Sequence, residues 1–232
     1  RAALAIGAAA VAPRVAPSLR AVAPALAGIG NPRHVALTFD DGPHPSSTPS
    51  FLQQLERMAV HATFFLLGVQ VVAYPELARR IVDAGPEVAL HGHTHRILLA
   101  RGPSSTWADL HRGYDAVAAA TGELPRWYRP PYGVLTGAAQ RTAQSLGMRP
   151  ILWTDWGRDW MAAATPQTVY DTVTRGLGGG ATVLLHDGDT RSAPGSWRAT
   201  LGMLAALVDT CHRRGWTVGR VADHRVDFTY KM

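Results

Sequence analysis

Residues 34–43 read HVALTFDDGP, an apolar run that ends in two adjacent carboxylates followed by a Gly-Pro pair. The apolar run predicts a strand, and the Gly-Pro pair predicts a turn directly after it. Neighbouring side chains in a strand point in opposite directions, but a turn at the strand end can direct Asp40 and Asp41 toward one mouth. One carboxylate of such a pair can bind a hard cation while the other accepts a proton from water. An ordinary solvated turn is the alternative interpretation of these residues alone.

Working outward from this strand, short apolar runs alternate with amphipathic stretches, which is typical of βα units around a parallel sheet. Seven strands are predicted, at residues 34–39, 62–67, 87–90, 127–129, 149–153, 181–185 and 217–221. Six helices are predicted between them, at residues 48–58, 75–84, 106–120, 136–146, 166–177 and 196–214. Prolines that suit a first helical turn and glycines that suit a helix end support several of these boundaries. The pattern predicts an α/β fold, an irregular or incomplete (β/α)7 barrel.

The length of 232 residues suits a single domain, and a composition of 47% hydrophobic and 17% charged residues is typical of a packed globular protein. We divide the chain into an Ala/Pro-rich N-terminal extension, residues 1–33, and one folded domain, residues 34–232. The apolar run at residues 2–12 is too short to span a bilayer as a helix. It predicts either the remnant of a signal peptide or anchor, or an Ala-rich segment packed on the domain. A secreted or cell-surface location is therefore expected, and membrane anchoring stays open.

The formal net charge is +6, but the arginines are scattered along the chain rather than gathered in a block. This distribution indicates a solvated basic surface and not a nucleic-acid interface. Cys211 is the only cysteine, which excludes an intramolecular disulfide and a cysteine-based metal cage.

Polar clusters follow five of the predicted strands. In a barrel of parallel strands, the loops after the carboxyl ends of the strands build the active site. The clusters are residues 40–41, 91–95, 129–132, 155–160 and 186–189. We therefore expect them to meet on one rim.

The second of these clusters, residues 90–95, reads LHGHTH. His91 and His95 are four residues apart, so on a helical turn their imidazoles would share one face while His93 pointed elsewhere. Two imidazoles and one aspartate, with open positions left over, are typical of a catalytic metal site. Such ligands favour zinc, although cobalt or another divalent ion could occupy the same set. A chance histidine-rich loop is the alternative interpretation.

Residues 183–188 read VLLHDG and place His186 just beyond another apolar strand. Alone, this is the pattern of a hydrogen-bonded histidine at the rim. Opposite a metal site it becomes a candidate general acid, because imidazolium can protonate a leaving nitrogen near neutral pH. The remaining histidines are interpreted as surface or packing residues: His34, His44, His61, His111, His212 and His224.

These motifs together resemble the polysaccharide deacetylases, the NodB-like domain of the fourth carbohydrate esterase family. The resemblance covers about residues 34–222, and five motifs occur in the family's order. It implies that Asp40 is the catalytic base, that Asp41 is a metal ligand, and that His91 and His95 complete the protein ligands. The family's second motif has Ser or Thr after the first histidine, whereas this chain has glycine there. A supporting hydroxyl is therefore expected to be absent.

Residues 129–132 read RPPY and match the third motif. The resemblance implies that Arg129 orients a carboxylate, that the Tyr132 N–H helps to form the oxyanion hole, and that Pro131 faces the substrate. Leu184 and His186 match the fifth motif, which implies a wall for the acetyl methyl group and the general acid.

The fourth motif, Asp-x-x-Asp-Trp in the family, is the point of departure. When it is aligned on Asp159 and Trp160, its first position is Trp156 and not an acid. The resemblance implies that this first acid tunes the catalytic histidine, so Asp155 and Asp159 are the two candidates to replace it. Trp160 is a candidate sugar-facing wall, with burial in the core as the alternative.

The resulting hypothesis is hydrolysis of an acetamide. A water activated at the metal loses a proton to Asp40 and attacks, the metal and the Tyr132 N–H hold the oxyanion, and His186 protonates the departing amine. The resemblance implies N-acetylglucosamine polymers or oligomers such as peptidoglycan or chitin as substrates. The scattered arginines lead us to expect no nucleic-acid partner, and we expect a monomer. The rivals are an O-acetyl xylan esterase and a catalytically inactive carbohydrate-binding domain.

Overall fold

The computed structural model describes residues 20–227, in which a parallel sheet curls into a partial barrel. Its first strand, β1, pairs in parallel with β2, with β7 and, at its start, with β8. The sheet runs in the order β5-β4-β3-β2-β1-β7-β6, and every pairing is parallel. The strands are β1 His34–Asp40, β2 Thr63–Leu66, β3 Glu87–Leu90, β4 Trp127–Tyr128, β5 Arg149–Pro150, β6 Asp155–Trp156, β7 Thr182–His186 and β8 Thr217–Gly219. The predicted incomplete (β/α) barrel is confirmed.

The predicted fifth strand, residues 149–153, is the main difference in the sheet. Only its first two residues form a strand, β5, which pairs with β4, and a separate strand, β6, begins two residues after the predicted end and pairs with β7. Between the two, the Leu152 N–H donates to the Leu26 carbonyl instead of to a strand. Two short strands, β5 and β6, are therefore present where one strand was predicted, which accounts for seven predicted strands and eight observed ones.

Seven α-helices have their bounds within the described residues, where six were predicted. The additional one, α2, has six residues and follows β2 directly. Pro75, Pro103 and Pro166 each begin a helix, as expected of a residue whose missing N–H has no intrahelical partner there. The helices are α1 Thr48–Arg57, α2 Gly68–Ala73, α3 Pro75–Asp83, α4 Pro103–Thr121, α5 Gly137–Ser145, α6 Pro166–Thr174 and α7 Trp197–Arg213.

The core lies on both faces of the sheet. In β1, Val35, Leu37 and Phe39 belong to the large apolar cluster beneath the helices. Ala36 belongs to a smaller cluster inside the barrel. Because successive side chains of a strand alternate between its faces, Asp40 at the end of β1 shares the interior face with Ala36. The strand is buried along its whole length, so its terminal carboxylate enters the barrel mouth largely shielded from water.

Residues 20–33, the described part of the predicted extension, pack against the barrel. Ala27 is buried, and the Gly28 carbonyl accepts a hydrogen bond of 2.6 Å from the Thr182 hydroxyl in β7. The apolar run at residues 2–12 lies outside the described residues. No helix within residues 20–227 is long and apolar enough to cross a membrane.

Candidate active site

The two carboxylates after β1 lie at the mouth of the barrel. The parallel register sets Asp40 opposite His186 on β7. Asp41 takes a φ of 74°, in the left-handed region that non-glycine residues rarely adopt. Such backbone strain persists where the surrounding structure fixes it, often at functional sites. The left-handed turn directs the Asp41 carboxylate to the same cavity as that of Asp40, as the sequence predicted.

The histidine segment is a loop and not a helical turn, so the expected helical geometry is wrong. Gly92 takes a φ of 92°, a conformation that disfavours Ser or Thr at this position. The loop nevertheless brings His91 and His95 together, with ring centroids 5.2 Å apart. His93 does not join them, because its backbone carbonyl accepts from Val69 and its side chain lies beside Gly68 in α2.

Asp109 in α4 holds this loop from beneath. Its buried carboxylate accepts hydrogen bonds from the His93 N–H at 3.0 Å and from the Thr94 hydroxyl at 2.7 Å. Arg101 lies 2.8 Å from the same carboxylate and balances its charge. Gly92 has no hydroxyl that could support the histidine loop, and the hydrogen bonds to Asp109 support the loop instead.

Asp41, His91 and His95 form a set that could hold a metal ion, and their ligand atoms all lie within 4.8 Å of one another. The Asp41 Oδ1 is 3.6 Å from the His91 Nε2 and 3.5 Å from the His95 Nε2. This oxygen is buried without a hydrogen-bond partner among the described residues. The His91 Nδ1–H donates to the Arg129 carbonyl at 2.8 Å, which leaves its Nε2 lone pair directed at Asp41.

The protonation states fit a cation at this place. Burial lowers the pKa of His91 to about 3, and burial together with the charge of His91 lowers the pKa of His95 to about 3. Burial also raises the pKa of Asp41 to about 6, although His186 opposes this. Two neutral imidazoles around an unpartnered buried oxygen are the donors that a divalent transition metal requires.

Asp40 is held by Arg129, whose Nη1 lies 2.7 Å from its Oδ1. Arg129 is completely buried and also donates to the Thr38 hydroxyl and the Leu152 carbonyl. Burial raises the pKa of Asp40, while the guanidinium opposes that rise. The result is an oriented carboxylate with more affinity for a proton than an exposed one.

His186 is held by Asp159 and not by Asp155. Its Nδ1 lies 2.9 Å from the Asp159 Oδ1, and its backbone N–H donates to the other oxygen at 2.7 Å. Burial lowers the pKa of His186, but the charges of Asp159, Asp41 and Asp40 outweigh burial and raise it to about 10. Asp155 lies 3.5 Å from Arg20 instead. Of the two candidate acids, Asp159 is therefore the one beside the histidine.

A cavity of about 450 Å³ opens above these groups. Tyr132, with a φ of 59° and its ring 4.5 Å from that of His95, forms one side. Leu184 and Trp160 line the cavity, so Trp160 is a wall and not a core residue. Pro131, predicted to face the substrate, is buried and is not among the lining residues. The aromatic and charged residues that also line it are Trp153, Trp156, Arg158 and Arg191.

The model of one protein family, described as polysaccharide deacetylase, matches residues 27–151. The chain belongs to the polysaccharide deacetylase family. It is 36% identical to a chitooligosaccharide deacetylase of Bradyrhizobium sp. (strain ANU 289), over 82% of this chain and 90% of that protein.

Two further similarities extend this comparison. The peptidoglycan-N-acetylmuramic acid deacetylase PdaC of Bacillus subtilis (strain 168) is 34% identical over 68% of this chain, which spans 33% of that longer protein. A CE4 family pseudoenzyme from Bacillus anthracis has a similar fold, with a TM-score of 0.76, 29% identity, and coverage of 85% of this chain and 68% of that one. The family thus includes proteins that differ in substrate and in activity.

Sequence reasoning missed several residues of this polysaccharide deacetylase site. Asp109 gave no signal, because a single acid in an amphipathic helix is usually solvated. Thr200, whose hydroxyl donates to Asp159 at 2.7 Å, lies in a helix with no motif. Asp187 directly follows His186, and its completely buried carboxylate accepts a hydrogen bond from Thr48. Its position in the HDG segment was the one available clue.

Proposed function

We propose that this polysaccharide deacetylase is a metal-dependent hydrolase that removes acetyl groups from glycans containing N-acetylglucosamine and releases acetate. One observation carries the proposal. A three-ligand metal set, a carboxylate held by an arginine and a histidine held by a carboxylate all face one cavity. The relatives named for chitooligosaccharide and peptidoglycan deacetylation support the substrate class.

Asp40 is the proposed base. Arg129 occupies its Oδ1, so Oδ2 is the oxygen left to accept a proton from an attacking water. Burial raises the pKa of this carboxyl and so strengthens it as a proton acceptor. The Tyr132 N–H is proposed to donate to the developing oxyanion.

His186 is the proposed acid. Its Nδ1–H is engaged by Asp159, so its Nε2–H is directed toward the cavity, 3.9 Å from Asp41. The surrounding carboxylates keep this imidazole protonated at neutral pH, since they raise its pKa to about 10. It can therefore deliver a proton to the departing amine.

Asp41, His91 and His95 are proposed to hold zinc, because imidazole ligands suit a borderline transition metal better than magnesium. When bound, such an ion polarises the acetyl carbonyl and acidifies the attacking water. Elemental analysis of the purified protein, followed by chelation and titration with zinc and cobalt, identifies the metal independently of activity.

The experiment that tests the function is acetate release from N-acetylated chitooligosaccharides, with acetylated xylan measured in parallel. We expect zinc-restored protein to release acetate from the chitooligosaccharides, and metal-depleted protein and Asp40→Asn to lose that activity. Release from acetylated xylan alone would establish the O-acetyl esterase. If zinc-loaded protein releases acetate from neither substrate, the result favours the inactive carbohydrate-binding domain. The complete set of acid, base and metal ligands argues against that alternative.

We further propose that the protein is a monomer and that it acts on its glycan outside the cytoplasm. The apolar run at residues 2–12 and the cell-wall substrate named for a relative support that location. Size-exclusion chromatography with light scattering and fractionation of producing cells test the two statements.

A further inference from the structure

The active-site cavity continues into a second groove on the far side of Tyr132. This groove has a volume of about 870 Å³ and shares His95 and Tyr132 with the cavity. Among residues 20–227, none of the side chains that line the groove is acidic, while Arg96, Arg101 and Arg112 are basic. A substrate that extends beyond the reacting sugar therefore meets positive charge there.

Two further arginines, Arg158 and Arg191, line the cavity on the side of the tryptophans. Both are exposed, as are Arg96 and Arg112 in the groove. None of these four forms an ion pair with an acidic side chain within the described part of the chain, residues 20–227. By contrast, Arg101 is paired with Asp109. We call the four exposed residues, Arg96, Arg112, Arg158 and Arg191, the rim arginines.

The carboxylates of the site do not need the rim arginines for charge balance. Asp40 already has Arg129 at 2.7 Å, and Asp159 already has His186 at 2.9 Å. The negative charge of Asp41 would be balanced by the proposed metal ion. Four cations around a cleft, none of them in an ion pair with an acidic side chain of residues 20–227, create a potential that attracts an anionic partner and repels a cationic one.

The loop that carries Arg191 is fixed in place. The Asp189 carboxylate accepts from the Gly195 N–H at 2.6 Å and lies 3.3 Å from the His44 Nε2. The Ala193 N–H donates to the Trp160 carbonyl, which ties the loop to the tryptophan wall of the cavity. An ordered loop lowers the entropic cost of binding through Arg191.

We propose that the rim arginines make the enzyme select N-acetylated glycans that carry carboxylates on the sugars flanking the one that is deacetylated. This inference rests on the proposed function. A guanidinium binds a carboxylate through two parallel hydrogen bonds, an interaction that a neutral chitooligosaccharide cannot offer. The carboxylate belongs either to a substituent of the sugar or to a peptide attached to it.

The test compares kcat/KM for zinc-loaded enzyme on three substrates matched in length. They are a neutral chitooligosaccharide, peptidoglycan glycan strands freed of their peptides, and the same strands with peptides attached. We expect at least about tenfold preference for a carboxylate-bearing strand at low salt, since charge-assisted hydrogen bonds are the strong ones, and a smaller preference at high salt. Preference for the peptide-free strand assigns the carboxylate to the sugar. Preference confined to the peptide-bearing strand assigns it to the peptide.

The variants are the pairs Arg158→Gln with Arg191→Gln and Arg96→Gln with Arg112→Gln. We expect each pair to raise KM for the anionic strand about tenfold and to lower kcat/KM on it several times more than on the neutral substrate. The control is the pair Arg57→Gln with Arg80→Gln, which also removes two charges, from exposed positions on α1 and α3 that line neither the cavity nor the groove, and it should change kcat/KM on neither substrate.

Equal kcat/KM on neutral and anionic substrates, or an equal loss on both in the paired variants, overturns the inference while the deacetylase function stands. Absence of acetate from every substrate overturns both.

Discussion

Replacing Asp159 by Asn separates the charge beside His186 from the shape of the side chain that holds it. The Asp159 carboxylate accepts three hydrogen bonds, two from His186 and one from the Thr200 hydroxyl. An asparagine has one acceptor oxygen, so its amino group must face one of the two N–H donors of His186. The amino group faces either the backbone N–H, which is then unsatisfied, or the ring Nδ1, which must then give up its proton to accept, and we expect a loss of about 1–3 kcal/mol in the free energy of unfolding.

The expected loss of activity is larger than this loss of stability. Asp159 is the strongest of the groups that raise the pKa of His186 to about 10 against burial, which lowers it. Without that charge the imidazole loses its proton at lower pH, so the alkaline limb of the kcat/KM profile moves to lower pH. General acids contribute about 10²–10⁴-fold, and we expect kcat on an N-acetyl substrate to fall by at least about 10²-fold. An O-acetyl substrate should lose less, because an alkoxide leaves with less help from an acid.

The raised pKa of His186 also makes the stability of the folded protein depend on pH. A histidine whose folded pKa is raised contributes stability that is complete below its unfolded pKa, about 6.5, and is lost as the pH rises through about 10. The Asn variant should therefore lose most stability at and below about pH 6.5 and approach the parent as the pH rises through about 10. Thr200→Val is the matched control, since it removes one hydrogen bond from Asp159 and keeps the charge. It should lose about 1 kcal/mol and keep its pH profile. An unchanged alkaline limb in Asp159→Asn, or equal losses on amide and ester, would refute the assignment.

Three further predictions concern other residues, Asp109, Trp160 and His224. Asp109→Asn should weaken zinc binding about 10–100-fold in a chelator-competition assay, because groups that orient ligand residues contribute on that scale; unchanged affinity contradicts its role under the histidine loop. Trp160→Ala should raise KM for oligosaccharides several-fold, because about 1 kcal/mol of aromatic contact with the sugar is lost. The value of kcat should change less, since the proposed acid and base are untouched. A loss in kcat alone would contradict the role of Trp160 as a wall of the substrate cavity. Burial lowers the pKa of His224 to about 4, so stability present above pH 6.5 should be lost as the pH falls toward 4, by on the order of 3 kcal/mol in urea unfolding, and His224→Gln should show a shallower slope.

The fold was predictable where the pattern is local and repeated. The strand at residues 34–40 is buried on both faces, so its apolar run identifies it without knowledge of its neighbours. The division of residues 149–156 into β5 and β6 depends on which distant strand each half meets, and no local pattern encodes that choice. Helix α2 has only two buried residues, Gly68 and Val71, too few for a helical periodicity.

The site could be predicted from the sequence where several potential metal-binding side chains lie within a short segment. His91 and His95 were identified by their spacing, although the loop that joins them is not helical. The partner of His186 stayed ambiguous because Asp155 and Asp159 lie close together in sequence and only the backbone separates their directions. Arg158, with a φ of 52°, turns the chain between β6 and Asp159, and this places the carboxylate beneath His186. Trp156, which stands where the family has an acid, packs edge-on against Trp160 at 5.0 Å and lines the cavity.

Asp40, Asp41 and Asp159 have the same side chain, and their neighbours give them three different roles. Asp40 faces a buried guanidinium, which opposes the rise in its pKa that burial causes and leaves one oxygen for a proton. Asp159 faces an imidazole and two further donors, so its charge is used to hold a proton on His186. Asp41 has neutral imidazoles and an unpartnered oxygen, which is a stable arrangement only beside a cation. Because these three carboxylates have partners of their own, none of them forms an ion pair with a rim arginine within residues 20–227, and the rim arginines remain available to the substrate.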